Sequence, residues 1–424
     1  MDKAPSRTSL LLMVLAAAYC IAFVDRMMMA VVAEPVKAEF DLSDKQLFLL
    51  TGAAFILVYG TFAIVSGWLL DRYNKALIVA SGMAIWSIFT AAAGFADNFT
   101  HLAIARAGVG IGESVIIPAA MSIITDRFPP TRRPMAMGVF YAGGMVGIFL
   151  AWVVGGWLAA NYGWRSAFFI AGPPGFVLAV LLAFVKLDAP NRNPQSVARS
   201  SGMSSFRELF KNAPFVYLTI GSGLLTFVTV GVVSMIGSFF IRSHGMSPAQ
   251  VGLIFGPVMA VSMAGGQLGG GWIGGRLARR GLSMLIGFSA IIVFALTPIF
   301  AFILLVPSRE LAIGAMFVGM LMSTLSSPCF SAAYLTVCAP HTRATAAGLH
   351  SFLNGALGGA LTPFLVGTLS DYWRPSVGQD SLRYAMLVGL VSCVLSGTMF
   401  TIARRKVMHG DRTGGADFTS AEAA

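Results

Sequence analysis

The sequence predicts an all-α polytopic membrane protein with twelve transmembrane helices in two pseudo-symmetric six-helix bundles. Of its 424 residues, 56% are hydrophobic and 11% are charged, whereas soluble domains carry about 25% charged residues. The mean hydropathy is +0.77. A membrane-spanning helix needs roughly 20 apolar residues. Twelve stretches approach or exceed this length: residues 9–31, 46–70, 76–96, 102–125, 135–160, 166–185, 215–241, 249–273, 284–306, 311–337, 344–369 and 384–402.

Basic residues alternate between the two sides of this predicted bundle. One side carries 20 of the 29 Lys and Arg residues, the other carries seven, and the last two, Arg26 and Arg106, fall inside helices. By the positive-inside rule, both termini are predicted to be cytoplasmic, in a multi-pass protein of the cell inner (plasma) membrane. The net charge of +11 then reflects attraction to anionic membrane lipids, so we expect no nucleic-acid partner.

The sequence offers little support for enzymatic or metal chemistry. Its four cysteines lie in the apolar part of the chain without metal-ligand spacing. It has no Gly-x-Ser-x-Gly motif and no His followed by Asp at the acyltransferase spacing. We therefore expect neither an enzyme nor a cofactor. The first apolar stretch lacks a small-residue cleavage site, which predicts a retained helix and not a signal peptide.

The chain divides into two halves that resemble each other. Residues 187–213, rich in Pro, Ser, Asn and basic residues, are predicted to be a cytoplasmic linker between bundles at residues 1–186 and 214–424, the second ending in a cytoplasmic tail. Two segments recur 204 and 210 residues later: Gly67-Trp-Leu-Leu-Asp71-Arg72 as Gly271-Trp-Ile-Gly-Gly275-Arg276, and Pro130-Thr-Arg-Arg133 as Pro340-His-Thr-Arg343. Such internal symmetry is typical of transporters, whose substrate site lies near the midplane between repeats.

Two motifs of the first half, Gly67-x-x-x-Asp71-Arg72-x-x-Lys75 and Arg106-x-x-x-Gly110, resemble loop and fourth-helix motifs of the major facilitator superfamily. Four further segments stand out: Asp25-Arg26, Leu42-Ser43-Asp44-x-Gln46, Arg106-x-Gly108-x-Gly110-x-Gly112-Glu113 and Asp126-x-Phe128-Pro129. In these segments the chain looks most similar to the Spinster-like branch of that superfamily. This resemblance implies a transporter of an amphiphilic anion, such as a lysophospholipid or a sphingoid phosphate.

Four charged residues inside the predicted helices are the main candidate site. Arg106 and Glu113 lie about two turns apart on one helix face, whereas the neighbours Asp25 and Arg26 differ by about 100°, so one of them can point at the fourth helix. Ionisable residues at membrane depth are costly and usually functional. The alternative is that these groups only neutralise each other.

The predicted roles of these four residues follow from their chemistry. Arginine does not lose its proton and grips phosphate or carboxylate as a fork, so Arg26 and Arg106 are predicted to bind substrate. Burial favours a protonated carboxyl and a nearby arginine favours a charged one, so Glu113, with Asp25, is predicted to couple transport to protons.

The predicted helices of the second half contain no Asp or Glu. Substrate contacts are therefore assigned to polar and aromatic residues of both halves, namely Tyr59, Tyr141, Thr226, Ser326 and Asn354. For the small polar residues the alternative is helix packing. An apolar part of the substrate is expected to lie against the second half.

A cytoplasmic gate is predicted from Asp71, Arg72, Arg133 and Arg343. The family resemblance implies that Asp71 latches the two halves, partly against the positive N-terminal end of the eleventh helix. Simple anchoring at the membrane surface is the alternative, since positive-inside placement alone puts basic residues here.

The leading functional hypothesis is a monomeric secondary transporter that works by alternating access and is coupled to protons, with membrane lipids as its surroundings. The alternatives are a proton-coupled carrier of small organic or sugar acids, a multidrug exporter and, from other classes, a lipid-modifying enzyme or a channel. The repeated halves and the buried opposite charges favour a carrier.

Overall fold

The computed structural model describes residues 7–42, 46, 50, 54–183, 202–233, 235–246 and 248–412, and the regular elements in these residues are all helices. Eleven segments of the described chain are long and apolar enough to cross a membrane. The helix Ala54–Arg72 stands at the second predicted position and is called span 2. The other spans, numbered 1 and 3 to 12 in chain order, are Thr8–Val31, Lys75–Ala93, Phe99–Arg127, Arg133–Tyr162, Trp164–Ala183, Ala213–Val232, Leu253–Ala278, Leu282–Leu305, Arg309–Thr336, Pro340–Val377 and Ser381–His409.

The two halves of the chain, spans 1 to 6 and spans 7 to 12, pack against each other mainly through two helix pairs. Span 2 lies along span 11, and span 5 lies along span 8. A Cβ atom at Gly67, Gly138 or Gly348 would collide with backbone atoms of the facing helix. Glycine at these positions therefore permits the close approach of the halves, the packing that small residues give to membrane helices.

Helix irregularities recur in corresponding helices of the two halves. Span 5 contains a π-helical segment beginning at Ala151, and span 11 contains one that begins 204 residues later, at Gly355. Span 4 is interrupted after Glu113, and span 10 is interrupted at Ser326. Such departures from α-helix often mark functional sites, and here they lie in matching helices.

Among the described residues, three shorter helices flank the spans. Ala33–Glu39 follows span 1, and Ile236–His244 follows span 7, so the predicted seventh helix, 215–241, is divided in two. Part of the predicted linker, Gly202–Lys211, is helical and buries Leu209. Residues 184–201, like the motif residues Ser43 and Asp44, lie outside the described residues.

Candidate substrate and proton site

Glu113 occupies the centre of span 4. It lies 14 residues from each end of Phe99–Arg127, or about 21 Å at 1.5 Å per residue. Its side chain is fully buried. A carboxyl group at this depth has to be paired or protonated, and the helix interruption follows it directly.

The partner of Glu113 is Arg26 of span 1. The Arg26 guanidinium donates to Glu113 Oε2 from Nη2 at 2.8 Å and from Nε at 3.2 Å. The second carboxylate oxygen, Oε1, is buried and has no hydrogen-bond partner among the described residues. The Arg26 side chain is 19% exposed, whereas that of Glu113 is inaccessible. Arg26 is therefore the accessible member of the pair.

Arg106 and Asp25 lie beside this pair. Arg106 is 1% exposed and donates from Nη1 to the backbone oxygen of Asp25 at 3.4 Å. Within the described chain its Nε and Nη2 atoms have no partner. Asp25 accepts from the Thr90 hydroxyl at 3.1 Å. A buried guanidinium with two unused donors is costly and is a suitable ligand for an anionic group.

Aromatic rings surround the Arg26 guanidinium. The ring centroids of Phe23, Phe55 and Tyr59 lie 5.0, 5.1 and 4.8 Å from its Cζ atom. The Phe55 centroid is also 4.9 Å from Arg106 Cζ, so the same ring contacts both arginines. These cation–π contacts stabilise the two charges and give the site an apolar wall.

The other predicted substrate ligands lie in several different environments. Tyr141 bonds Ser331 of the second half through its hydroxyl group at 3.1 Å, so it joins the two halves. The hydroxyl groups of Thr226 and Ser326 donate to carbonyl oxygens of Ser222 and Ser323 in their own spans, at 2.8 and 3.2 Å.

Asn354 belongs to a polar cluster inside the second half. The His350 ring bonds Ser222 Oγ through Nδ1 at 3.1 Å and Asn354 through Nε2 at 3.0 Å. Tyr334 stacks on the same ring at a centroid distance of 4.4 Å. These bonds fix the Asn354 side chain within the second half.

The predicted gate residue Asp71 bonds the second half directly. Its carboxylate accepts from the backbone amides of Ala344 and Thr345 at 3.1 and 2.7 Å, and from the Thr345 hydroxyl at 2.7 Å. These groups form the first turn of the helix Arg343–Asn354, where the helix dipole favours an anion.

Two further predicted gate residues form hydrogen bonds between the halves. Arg343 donates to Asp126 Oδ1 at 3.0 Å, and Arg133 donates to the Thr336 hydroxyl at 3.2 Å. Arg72, in contrast, lies over the Trp68 ring of its own span at 4.3 Å. The side of the molecule that carries these contacts is called the basic side, and the structure is closed there.

Asp126, which bonds one of the predicted gate residues, was not among the residues predicted for the gate. Lys75 donates to its Oδ2 at 2.6 Å, while Arg343 occupies its Oδ1. The only signal was its place in the Asp126-x-Phe128-Pro129 motif. Thr90, the partner of Asp25, was also missed.

Helices of membrane-spanning length, a charged site at mid-depth and a closed interface between two repeated halves together define a carrier-type membrane protein. A family model for the Major Facilitator Superfamily matches residues 15–363. The chain belongs to this superfamily, and it is a transporter and not an enzyme.

Known proteins similar to this chain cover nearly all of it. The MFS-type efflux pump of Mycolicibacterium smegmatis is 28% identical over 380 residues, covering 89% of this chain and 88% of the pump. The sphingosine-1-phosphate transporter SPNS2 of Xenopus tropicalis is 27% identical over 419 residues, covering 92% of this chain and 80% of that protein.

Among solved structures, one similar chain is a bacterial homologue of the human lysosomal transporter Spinster, crystallised in an inward-facing, unoccupied conformation. The TM-score is 0.63 at 26% identity, covering 95% of this chain and 98% of that chain. The resemblance to Spinster-like proteins and the all-α major facilitator fold are thereby confirmed.

Proposed function

We propose that this chain is a proton-linked secondary transporter of an amphiphilic anion, working by alternating access around Arg26, Arg106 and Glu113. The observation that carries this proposal is the Arg26–Glu113 pair at mid-depth, bonded at 2.8 Å. Beside it, two donor atoms of Arg106 have no partner among the described residues. Buried charges of this kind are retained where they bind and move ions or substrates.

The charge balance of the site couples substrate binding to proton uptake. Arg26 pairs with the carboxylate of Glu113, and Arg106 donates to the backbone oxygen of Asp25, the other buried acidic residue of the site. An arriving phosphate or carboxylate adds negative charge in a region of low dielectric, where an excess charge is expensive. Binding of the anion to Arg26 displaces Glu113, and the freed carboxylate takes up a proton. Substrate and proton then cross the membrane together.

An amphiphilic substrate fits the surroundings of the arginines. Phe23, Phe55 and Tyr59 place apolar surface next to the two guanidinium groups, which suits a charged head attached to an alkyl chain. Sphingosine-1-phosphate, after which the Xenopus relative is named, has this chemistry. A lysophospholipid is the other candidate of the same class.

The basic side is proposed to be cytoplasmic in the cell inner (plasma) membrane, as the positive-inside rule predicts. The contacts of Asp71 and Arg343 then close the cytoplasmic entrance, the arrangement of an outward-facing or occluded carrier. Opening requires these contacts to break while a corresponding closure forms at the other end. A monomer of the two proposed bundles, residues 1–186 and 214–424, contains the whole site.

The test is transport by purified protein in proteoliposomes, with and without an imposed pH gradient. The probes are radiolabelled sphingosine-1-phosphate, a lysophosphatidylglycerol and a short-chain organic acid. We expect gradient-dependent movement of a lysolipid anion, a large loss in Arg106→Ala and a smaller loss in Arg106→Lys, which keeps the charge but not the fork. Transport of the organic acid, but of neither lysolipid, would contradict this substrate class and would indicate a carrier of small organic acids.

A further inference from the structure

A cleft of about 300 Å³ opens on the basic side between the beginning of span 5 and the end of span 8. The first half contributes Thr131 and Arg132 to its walls, and the second half contributes Trp272, Arg276 and Arg279. Because its walls come from both halves, the cleft is complete only while the basic side is closed.

The three arginines of this cleft form no ion pair with a carboxylate among the described residues. In the described part of the chain, no carboxylate oxygen lies within 4.0 Å of the guanidinium nitrogens of Arg132, Arg276 or Arg279. Arg276 lies over the Trp272 ring at 3.3 Å, which orients its fork. Trp272 is 57% exposed and stands near the end of its span, the depth at which tryptophan meets lipid headgroups.

The sequence repeat explains why a negative group is missing here. Gly275 is the counterpart of Asp71, 204 residues earlier. Asp71 places a carboxylate at the start of a helix in the opposite half. Gly275 faces the start of span 5 in the same way, and a Cβ atom there would lie 3.0 Å from the Thr131 carbonyl oxygen. The first copy thus carries its own carboxylate, whereas the second copy has none at the corresponding position.

We propose that this cleft binds the phosphate of an anionic phospholipid from the surrounding membrane. The lipid phosphate takes the place of the missing carboxylate and bonds the arginines as charge-assisted partners, while its acyl chains follow Trp272 into the bilayer. Since both halves contribute, the bound lipid holds the basic side closed. This inference is independent of the transported substrate.

The test uses the full chain in neutral detergent micelles, titrated with phosphatidylglycerol, with phosphatidylcholine of the same acyl chains or with inorganic phosphate. Native mass spectrometry counts bound lipid, and melting temperature reports stabilisation. We expect phosphatidylglycerol to bind in preference to phosphatidylcholine, and Arg276→Gln with Arg279→Gln to weaken its binding about tenfold or more. Gly275→Asp, which supplies a carboxylate within the protein, is expected to remove the preference.

The matched control is Arg405→Gln with Lys406→Gln, which removes two exposed charges at the end of span 12 and is expected to leave the preference intact. An equal loss of phosphatidylglycerol binding in the control and in the Arg276 and Arg279 variant would overturn the site. The absence of a phosphatidylglycerol preference in the native chain would overturn it as well. Equal stabilisation by inorganic phosphate without lipid would overturn the assignment to a phospholipid.

Discussion

Asp71 and Thr345 join the two halves of the molecule through two hydrogen bonds of 2.7 Å, one from the Thr345 amide and one from its hydroxyl group. Asp71 ends span 2, and Thr345 lies in the first helical turn of Arg343–Asn354. The carboxylate is almost completely buried in this interface. We propose that the two residues act as a lock, which has to break whenever the basic side opens.

Asp71→Asn is expected to weaken this lock by about 1–2 kcal/mol, because the amide keeps the shape of the side chain but loses its charge at the helix N-terminus. Opening would become roughly 5- to 30-fold more frequent. The measurement is the alkylation rate of native Cys338, with the other three cysteines replaced by serine.

Cys338 is a suitable reporter because it is 3% exposed in the closed structure, and burial raises the pKa of its thiol. Opening should make it both accessible and more reactive. Asp371→Asn, an exposed carboxylate away from the lock, serves as the control. An unchanged alkylation rate in Asp71→Asn would show that Asp71 is only an anchor at the membrane surface.

Asp126→Asn is expected to lower the stability of the folded protein by about 1–3 kcal/mol, because it removes the charged partner of the nearly buried Lys75 and of Arg343. The measurement is the melting temperature in detergent. Asp380→Asn breaks an exposed pair with Arg383 and should cost about 0–1 kcal/mol. If both variants melt alike, Asp126 does not organise the gate.

Glu39 provides a pH-dependent contact on the other side of the molecule. The Trp164 indole donates to it at 2.6 Å, and this bond, followed by that of Arg165, lowers the pKa of Glu39. A lowered folded-state pKa means that the contact stabilises the protein at neutral pH and is lost as the pH falls through that value.

The measurement for this contact is tryptophan fluorescence between about pH 6 and about pH 3. We expect an acid transition in the native chain that is absent from Glu39→Gln, since the amide cannot titrate. The same transition in both proteins would assign it to another group.

Much of this architecture follows from local sequence properties. Apolar length and alternating loop charge predict the spans, and the Asp71 and Gly275 repeats lie where matching helices end. The Arg26–Glu113 bond was only one of the possible pairings, because the sequence shows that Arg26 and Asp25 point about 100° apart but not which of them faces span 4.

The sequence did not predict the contacts of Asp126 for a related reason. Its two cationic partners, Lys75 and Arg343, lie in different halves of the chain, and the packing of span 4 against spans 3 and 11 brings them to one carboxylate. The interruption of span 4 after Glu113 was likewise not predicted. This interruption depends on packing against span 2, where Ser66 donates to the Ser114 carbonyl oxygen at 3.0 Å.

The central claim is that Glu113 releases Arg26 to the substrate and carries the proton, and Glu113→Gln in proteoliposomes tests it most directly. Glutamine keeps the shape of the side chain but cannot exchange a proton. We expect this variant to retain exchange of labelled lysolipid anion across the membrane while losing accumulation driven by a pH gradient. Full gradient-driven accumulation by Glu113→Gln would contradict the claim.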